Sequence, residues 1–241
     1  MDKYWLERTE LLIKEEGLEK LNKANVLVVG MGGVGSFAAE FLARAGVGKM
    51  TVVDGDTVDI TNVNRQLPAL HSTVGKHKVD VVAERLLDIN PQLHLTKINE
   101  FLNPERMEEV LDADTFDFVL DCIDSVTPKL SLIIAAKRRR IKIVSSMGAG
   151  GKTDPSKVLV RDISKTEHCH LARQIRKRLR KVKIDKGIRC VFANDIQDEE
   201  SLKMTDGTNY KRSFYGTISY MPAIFGLYAA AEVINHLIEK D

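Results

Sequence analysis

Short apolar runs alternate with segments of helical period through the first two-thirds of the chain. This is the pattern of a parallel sheet whose strands are joined by crossover helices. Val26–Val29, Met50–Val53, Leu93–Ile98, Phe116–Leu120 and Ile141–Ser145 read as strands, with Ser36–Ala45, Lys76–Ile89, Asn103–Leu111 and Pro128–Arg140 as helices between them. An amphipathic N-terminal helix or helix pair over Glu7–Leu21 precedes the first strand. Pro91 and Pro104 fall at boundaries, where the missing N–H does least harm. The fold class expected is α/β, a doubly wound, mostly parallel sheet.

Beyond the fifth strand the pattern changes. Met147–Pro155 is a glycine loop and Val158–Arg161 a short strand. From Lys165 to Arg189 ten Lys/Arg stand against Glu167 and Asp185 alone. Arg173, Arg176, Lys177, Arg178, Arg180, Lys181 and Lys183 spread around all sides of a helical turn, more than one salt-bridged face can use. Gln197–Arg212 is polar and weakly patterned and reads as a mobile loop. Ile218–Ile238 approaches the length of a membrane span, but Pro222, Glu232, Asn235 and His236 are costly in lipid. A buried C-terminal helix is expected there, its small-residue face (Gly226, Ala229, Ala230, Ala231) suited to close packing or a dimer interface, with no membrane partner.

Composition narrows the classes. Across 241 residues, 36 Lys+Arg against 34 Asp+Glu leave a formal charge of +2, so any nucleic-acid role rests on a local patch. Cys122, Cys169 and Cys190 share no C-x-x-C spacing, which fits a reduced compartment. No apolar leader follows Met1, and a cytoplasmic location is expected. Cys122 and Cys190 lie in apolar runs and read as core. His168, Cys169 and His170 are adjacent positions that cannot all face one ion.

Gly30-Met31-Gly32-Gly33-Val34-Gly35 follows a strand and opens a helix, with Asp54 19 residues beyond Gly35 at the end of the next strand. Such a turn brings backbone amides and a helix N-terminus to phosphates, and an acid at that spacing reads a ribose. NAD, FAD, SAM and ATP all remain open at this point. Three further positions favour phosphate chemistry over hydride transfer. Arg65 sits among Asn62, Asn64 and Gln66; Lys78 follows Gly75 at a helix start; Asp124 lies just past an apolar strand, where a carboxylate can hold Mg2+ between phosphates. Each has an ordinary structural alternative as a salt-bridged arginine, a solvated lysine or a helix-capping aspartate, and only their coincidence at one sheet edge favours the chemical reading.

Gly30–Gly35, Asp54, Asn62–Gln66, Lys78 and Asp124 resemble the Rossmann-like adenylation fold of the ubiquitin-activating and ThiF/MoeB/HesA superfamily, over roughly Arg8–Ser145. The resemblance implies one adenylation domain over 1–241: an N-terminal helix over 7–21, a nucleotide-binding core over 24–150, and a basic segment with the C-terminal helix over 151–241. It further implies ATP with Mg2+, attack of a carboxylate on the α-phosphorus, and release of pyrophosphate. Carried over, Gly30, Gly32, Gly33 and Gly35 shape the ATP turn and Asp54 binds the ribose. Asn64, Arg65 and Lys78 meet the phosphates, Asp124 holds Mg2+, and the Cys122–Ile123 backbone lines the nucleotide pocket. Arg8 is the best match for a finger supplied by the partner subunit, which implies a homodimer. Arg65, Asp124 and Arg8 are the expected catalytic set.

Departures from the superfamily pattern select a branch. The two C-x-x-C pairs of sulfur-carrier activators are missing, so no zinc is expected, and Gln197–Tyr215 holds no nucleophilic cysteine. Asn62-x-Asn64-Arg65-Gln66, Asp124-Ser125-Val126-x-Pro128-Lys129, Gly148-Ala149-Gly150-Gly151-x-x-Asp154-Pro155 and the basic segment are similar to the tRNA threonylcarbamoyladenosine dehydratase branch (TcdA/CsdL-like). That branch uses ATP to activate the carboxylate of N6-threonylcarbamoyladenosine in tRNA, and internal attack closes a hydantoin or oxazolone ring. Arg173, Arg176, Lys177, Arg178, Arg180 and Lys181 are then expected to face tRNA phosphates. The resemblance leaves open a monovalent cation and a cysteine-desulfurase sulfur-relay partner. Competing readings are activation of a ubiquitin-like sulfur carrier, an NAD-dependent oxidoreductase and a nucleotide-regulated RNA-binding module.

Overall fold

The computed structural model describes residues 4–204 and 213–239. A helix α1 (Glu7–Lys23) leads into β1 (Asn25–Val29), α2 (Gly35–Arg44), β2 (Lys49–Val53), α3 (Lys78–Ile89), β3 (His94–Ile98), α4 (Pro104–Asp112) and β4 (Phe118–Asp121). Then come α5 (Val126–Arg138), β5 (Lys142–Ser146), β6 (Val158–Asp162), α6 (His170–Lys181), β7 (Arg189–Ala193), β8 (Leu202–Met204), β9 (Ser213–Tyr215) and α7 (Tyr220–Ile238). Seven strands form one sheet in the order β3-β2-β1-β4-β5-β7-β6, parallel except where β6 runs against β7. This is the doubly wound, mostly parallel α/β fold that the hydrophobic pattern predicts.

Both sheet faces are covered, which is why β1 is apolar at nearly every position and buried throughout. One core joins Leu21 of α1, Ala38 and Leu42 of α2, Val82 and Leu86 of α3, and Phe225 and Val233 of α7. The other joins Met107 of α4, Leu132 and Ile133 of α5, and Ile175 and Leu179 of α6. Local signals set the ends: Asn103 accepts from the Arg106 N–H at 2.8 Å, with Pro104 opening α4. α1 is a helix pair, broken at Lys14, whose φ of 65° and ψ of 170° are not helical.

Three readings change, and that of the C-terminal helix stands. The strand β7 was concealed because its first residue, Arg189, continues the basic run while Cys190–Ala193 are buried. Arg189 is drawn out of that run by its ion pair with Glu232, Nη2 to Oε2 at 3.0 Å. The basic helix is not cationic all round: Ala172, Ile175 and Leu179 form a buried stripe at helical spacing, and the cations keep to the remaining surface. Of the Gln197–Arg212 loop, Leu202–Met204 is a strand paired with Ser213–Tyr215, while 205–212 lie outside the described residues. α7 is long and apolar enough to cross a membrane, yet Met221, Phe225, Ala229, Ala230 and Val233 are spent on the sheet and on α2.

Candidate active site

The site forms at the carboxyl edge of the sheet, where β1, β2 and β4 end. Gly30 has φ of +97°, and a side chain there would press on the Cys122 carbonyl at 2.9 Å. A Cβ on Gly35 would lie 1.7 Å from the Gly30 carbonyl, so the turn closes only without one. Pro222 and Gly226 of α7 pack on Gly33 and on the Val34 carbonyl, holding the turn from behind. The result is a tight strand-to-helix turn with the N-terminus of α2 facing outward from the sheet edge.

Asp54 is placed by its own turn. Its two carboxylate oxygens accept from the Met31 N–H at 2.6 Å and the Asp56 N–H at 2.7 Å. Burial pushes its carboxyl above the usual range, opposed by the Lys78 charge and these two amides. Lys78 is buried, and its ammonium reaches Asp56 Oδ2 at 2.8 Å. The glycine turn, the ribose-type acid and Lys78 therefore share one polar corner.

A 3₁₀ turn over Ile60–Asn62, closed by a reciprocal cap between Asp59 and Asn62, leads into Val63–Gln66. Arg65 emerges half-buried, its Nη1 donating to the Thr61 carbonyl at 2.9 Å and to Asn64 Oδ1 at 2.8 Å. Burial lowers its pKa while the charge of Asp124 opposes that shift, which ties the exposed Asp124 to the same field. Asn64 also donates from Nδ2 to the Thr217 carbonyl at 3.0 Å. Its amide thus bridges two protein groups, with its oxygen orienting Arg65. Gln66 lies beside Gly32 with its side-chain oxygen buried and without a partner among the described residues.

Cys122 and Ile123 sit under the glycine turn, and burial raises the Cys122 thiol far above its ordinary range, which disfavours the thiolate. Arg8 is exposed on the first turn of α1, and no hydrogen bond or ion pair joins it to a described residue. One chain alone does not bring it to the others. On α6, Arg173, Lys177, Arg178, Arg180 and Lys181 are exposed, whereas Arg176 is half-buried and bonded to the Thr166 carbonyl and hydroxyl. β6 runs down from the carboxyl edge beside β7, and the chain then returns: Lys152 bonds both the His168 carbonyl and the Ala193 carbonyl at the end of β7, so α6 starts at the carboxyl edge.

Three residues at or near this edge escaped sequence reasoning. Lys129 is wholly buried and donates to Asp121 at 2.7 Å, Ser145 Oγ at 3.2 Å and the Ser146 carbonyl at 2.8 Å, joining the ends of β4 and β5. Lys152, also buried, donates to the carbonyls of His168 and Ala193 and to Asp195 Oδ1. Gln197 is buried between α6 and the glycine loop. A lysine directly before the run Leu130–Ala136 was the available signal for the first; the others have none in local sequence.

The ThiF family profile matches residues 6–241. The chain is 41% identical over 239 residues to the tRNA threonylcarbamoyladenosine dehydratase of Bacillus subtilis, covering 96% of this chain and 94% of that one. It is 36% identical over 256 residues to the Escherichia coli protein of the same name, covering 98% and 95%. The crystal structure of the E. coli tRNA N6-threonylcarbamoyladenosine dehydratase TcdA in complex with ATP superposes with a TM-score of 0.87 at 35% identity, covering 98% of this chain and 96% of that one.

Proposed function

The chain belongs to the ThiF family, and from that premise we propose that it uses ATP to adenylate the carboxylate of N6-threonylcarbamoyladenosine in tRNA and so drives its cyclisation with loss of water. The observation that carries this reading is near-full-length similarity to dehydratases of that name, joined to a phosphate-type site at the carboxyl edge of the sheet. Residues 1–241 act as one adenylation domain, in a cytoplasmic homodimer.

Attack of a carboxylate oxygen on the α-phosphorus brings two anions together, so the protein's task is to place them and neutralise charge as it develops. The glycine turn and the α2 N-terminus hold the phosphates, and Asp54 orients the ribose through lone pairs left free by its two amide partners. Arg65 keeps Nε and Nη2 for phosphate oxygens, because Nη1 is occupied by Thr61 and Asn64. Lys78 supplies compact charge from a corner where Asp56 holds it in place. Pyrophosphate leaves as the P–O bond to the carboxylate forms. The internal nitrogen or oxygen nucleophile then attacks the acyl carbon and expels AMP, which keeps the carboxylate oxygen. No protein nucleophile and no strong base are needed.

Among the described residues no cluster of three or more His, Cys, Asp or Glu could cage a metal. The exposed Asp124 carboxylate does fit Mg2+, which takes one or two carboxylates and completes its shell with water and phosphate oxygens. Bound there, Mg2+ neutralises phosphate charge. Arg8 is assigned to the partner subunit's site. The exposed cations of α6 hold tRNA through its phosphates. The test is ATP-dependent loss of water from threonylcarbamoyladenosine in tRNA, followed by nucleoside mass. Unchanged nucleoside with folded protein and intact substrate would overturn the reading.

A further inference from the structure

The basic face of α6 and the phosphate site are separate in sequence, yet a continuous set of polar contacts, anchored on the buried Gln197 and Lys152, joins them. At the N-terminus of α6 the His170 N–H donates to Gln197 Oε1 at 3.2 Å, and Gln197 Nε2 donates to the Gly150 carbonyl at 3.0 Å. Gln197 is only 8% exposed, so these bonds form away from solvent competition. Lys152, with its side chain fully buried, doubles the tie by donating to the His168 carbonyl just before α6 at 3.2 Å and to the Ala193 carbonyl at the end of β7 at 2.9 Å. The glycine loop between them is in turn fastened to the segment before α7: the Gly151 N–H donates to the Gly216 carbonyl at 2.8 Å, and Tyr220 Oη to the Thr153 carbonyl at 2.9 Å. From the next residue, the Thr217 carbonyl accepts from Asn64, whose other amide end holds Arg65.

We propose that Gln197 and Lys152 are positioning residues that hold the RNA-facing helix α6 in register with Arg65, so that tRNA bound on α6 delivers its carboxylate to the α-phosphorus. This rests on the tRNA reading above. A polynucleotide anchored through its phosphates reaches the site only at the place set by its anchor, and a displacement of about 1 Å at the reacting atoms can cost as much as 10²-fold in rate. Gln197 and Lys152 touch neither ATP nor tRNA in this scheme. Their effect is on placement, so it appears in kcat while each ligand still binds.

The experiment compares wild type with Gln197→Ala and, as a milder change that keeps an acceptor for His170 but surrenders the donor to Gly150, Gln197→Glu. Calorimetry measures ATP binding, and gel retardation measures affinity for tRNA carrying threonylcarbamoyladenosine. Single-turnover kinetics with both ligands saturating measures dehydration. For at least one variant that melts like wild type, the expected result is unchanged affinity for each ligand with dehydration slowed by about 10- to 100-fold. Wild-type rates in the folded variants would overturn the proposal, as would a loss of rate that follows weaker tRNA binding. Unfolding of both variants would also overturn it, since the contacts would then maintain the fold as a whole and not a register. If wild type itself fails to dehydrate tRNA, the functional reading fails instead, and the two failures are told apart by that control.

Discussion

Replacing Lys129 by methionine should be the most damaging single change near the site that touches neither substrate. Both members of the Lys129–Asp121 pair have fully buried side chains, with Nζ 2.7 Å from Oδ2. Methionine fills the same volume but removes the charge, leaving Asp121 with the Ser145 hydroxyl at 2.6 Å and the Ile123 N–H at 3.1 Å, and the Ser146 carbonyl without its donor. Removing one partner of a buried pair costs about 3–5 kcal/mol. At about 2–4 °C per kcal/mol for a chain of this size, the melting midpoint should fall by about 6–20 °C. Circular dichroism melts give the value directly. The double variant Asp121→Asn/Lys129→Met removes both charges together, and since whole pairs are often replaced at little cost, it should recover most of the loss. A Lys129→Met protein melting within about 2 °C of wild type would refute the reasoning, because that drop corresponds to under about 1 kcal/mol. So would a double variant no better than the single one.

Other outcomes follow from the geometry. On the proposed function, Arg65→Ala and Asp124→Ala should each lower AMP formation by about 10²–10³-fold in protein that remains folded; pyrophosphate release checks it, and full activity in both would remove the mechanism. Asp54 binds its proton more tightly folded than unfolded, so the stability linked to it is present at low pH and is lost as pH rises through its raised pKa. Because ribose binding takes the ionised form, ATP affinity should weaken on acidification at a pH above the ordinary carboxylate value of 3.8, and Asp54→Asn should flatten that limb in a calorimetric pH series. The triple change Arg173→Glu/Lys177→Glu/Arg180→Glu should leave ATP binding intact and reduce the slope of log affinity for tRNA against log salt by about 2–3; an unchanged slope would place the RNA elsewhere.

What could be read in the sequence is what local pattern records. Strands buried on both faces, such as Asn25–Val29, carry continuous apolar runs, and the glycine turn, Asp54 and Arg65 fall within one stretch whose spacing is itself the signal. β7 was hidden by Arg189, a strand residue that looks like the end of a basic run until its partner Glu232, 43 positions away, is in place. β8 is exposed at all three residues, so no alternation marks it. Lys152 is invisible for a like reason: a buried ammonium declares itself only through acceptors that tertiary folding assembles, here from 16 to 43 residues away. Asn64 lies within the motif, but its second partner, the Thr217 carbonyl 153 positions away, has no signal in local sequence.

The central claim is that the substrate's own carboxylate attacks ATP. Threonylcarbamoyladenosine in tRNA, labelled with heavy oxygen in the carboxylate, is turned over with ATP, and the AMP and nucleoside products are weighed by mass spectrometry. Carboxylate adenylation predicts one heavy oxygen in each AMP, formed in equal amount with the cyclised nucleoside. Cyclised nucleoside accompanied by unlabelled AMP, or by ADP and phosphate, would contradict it.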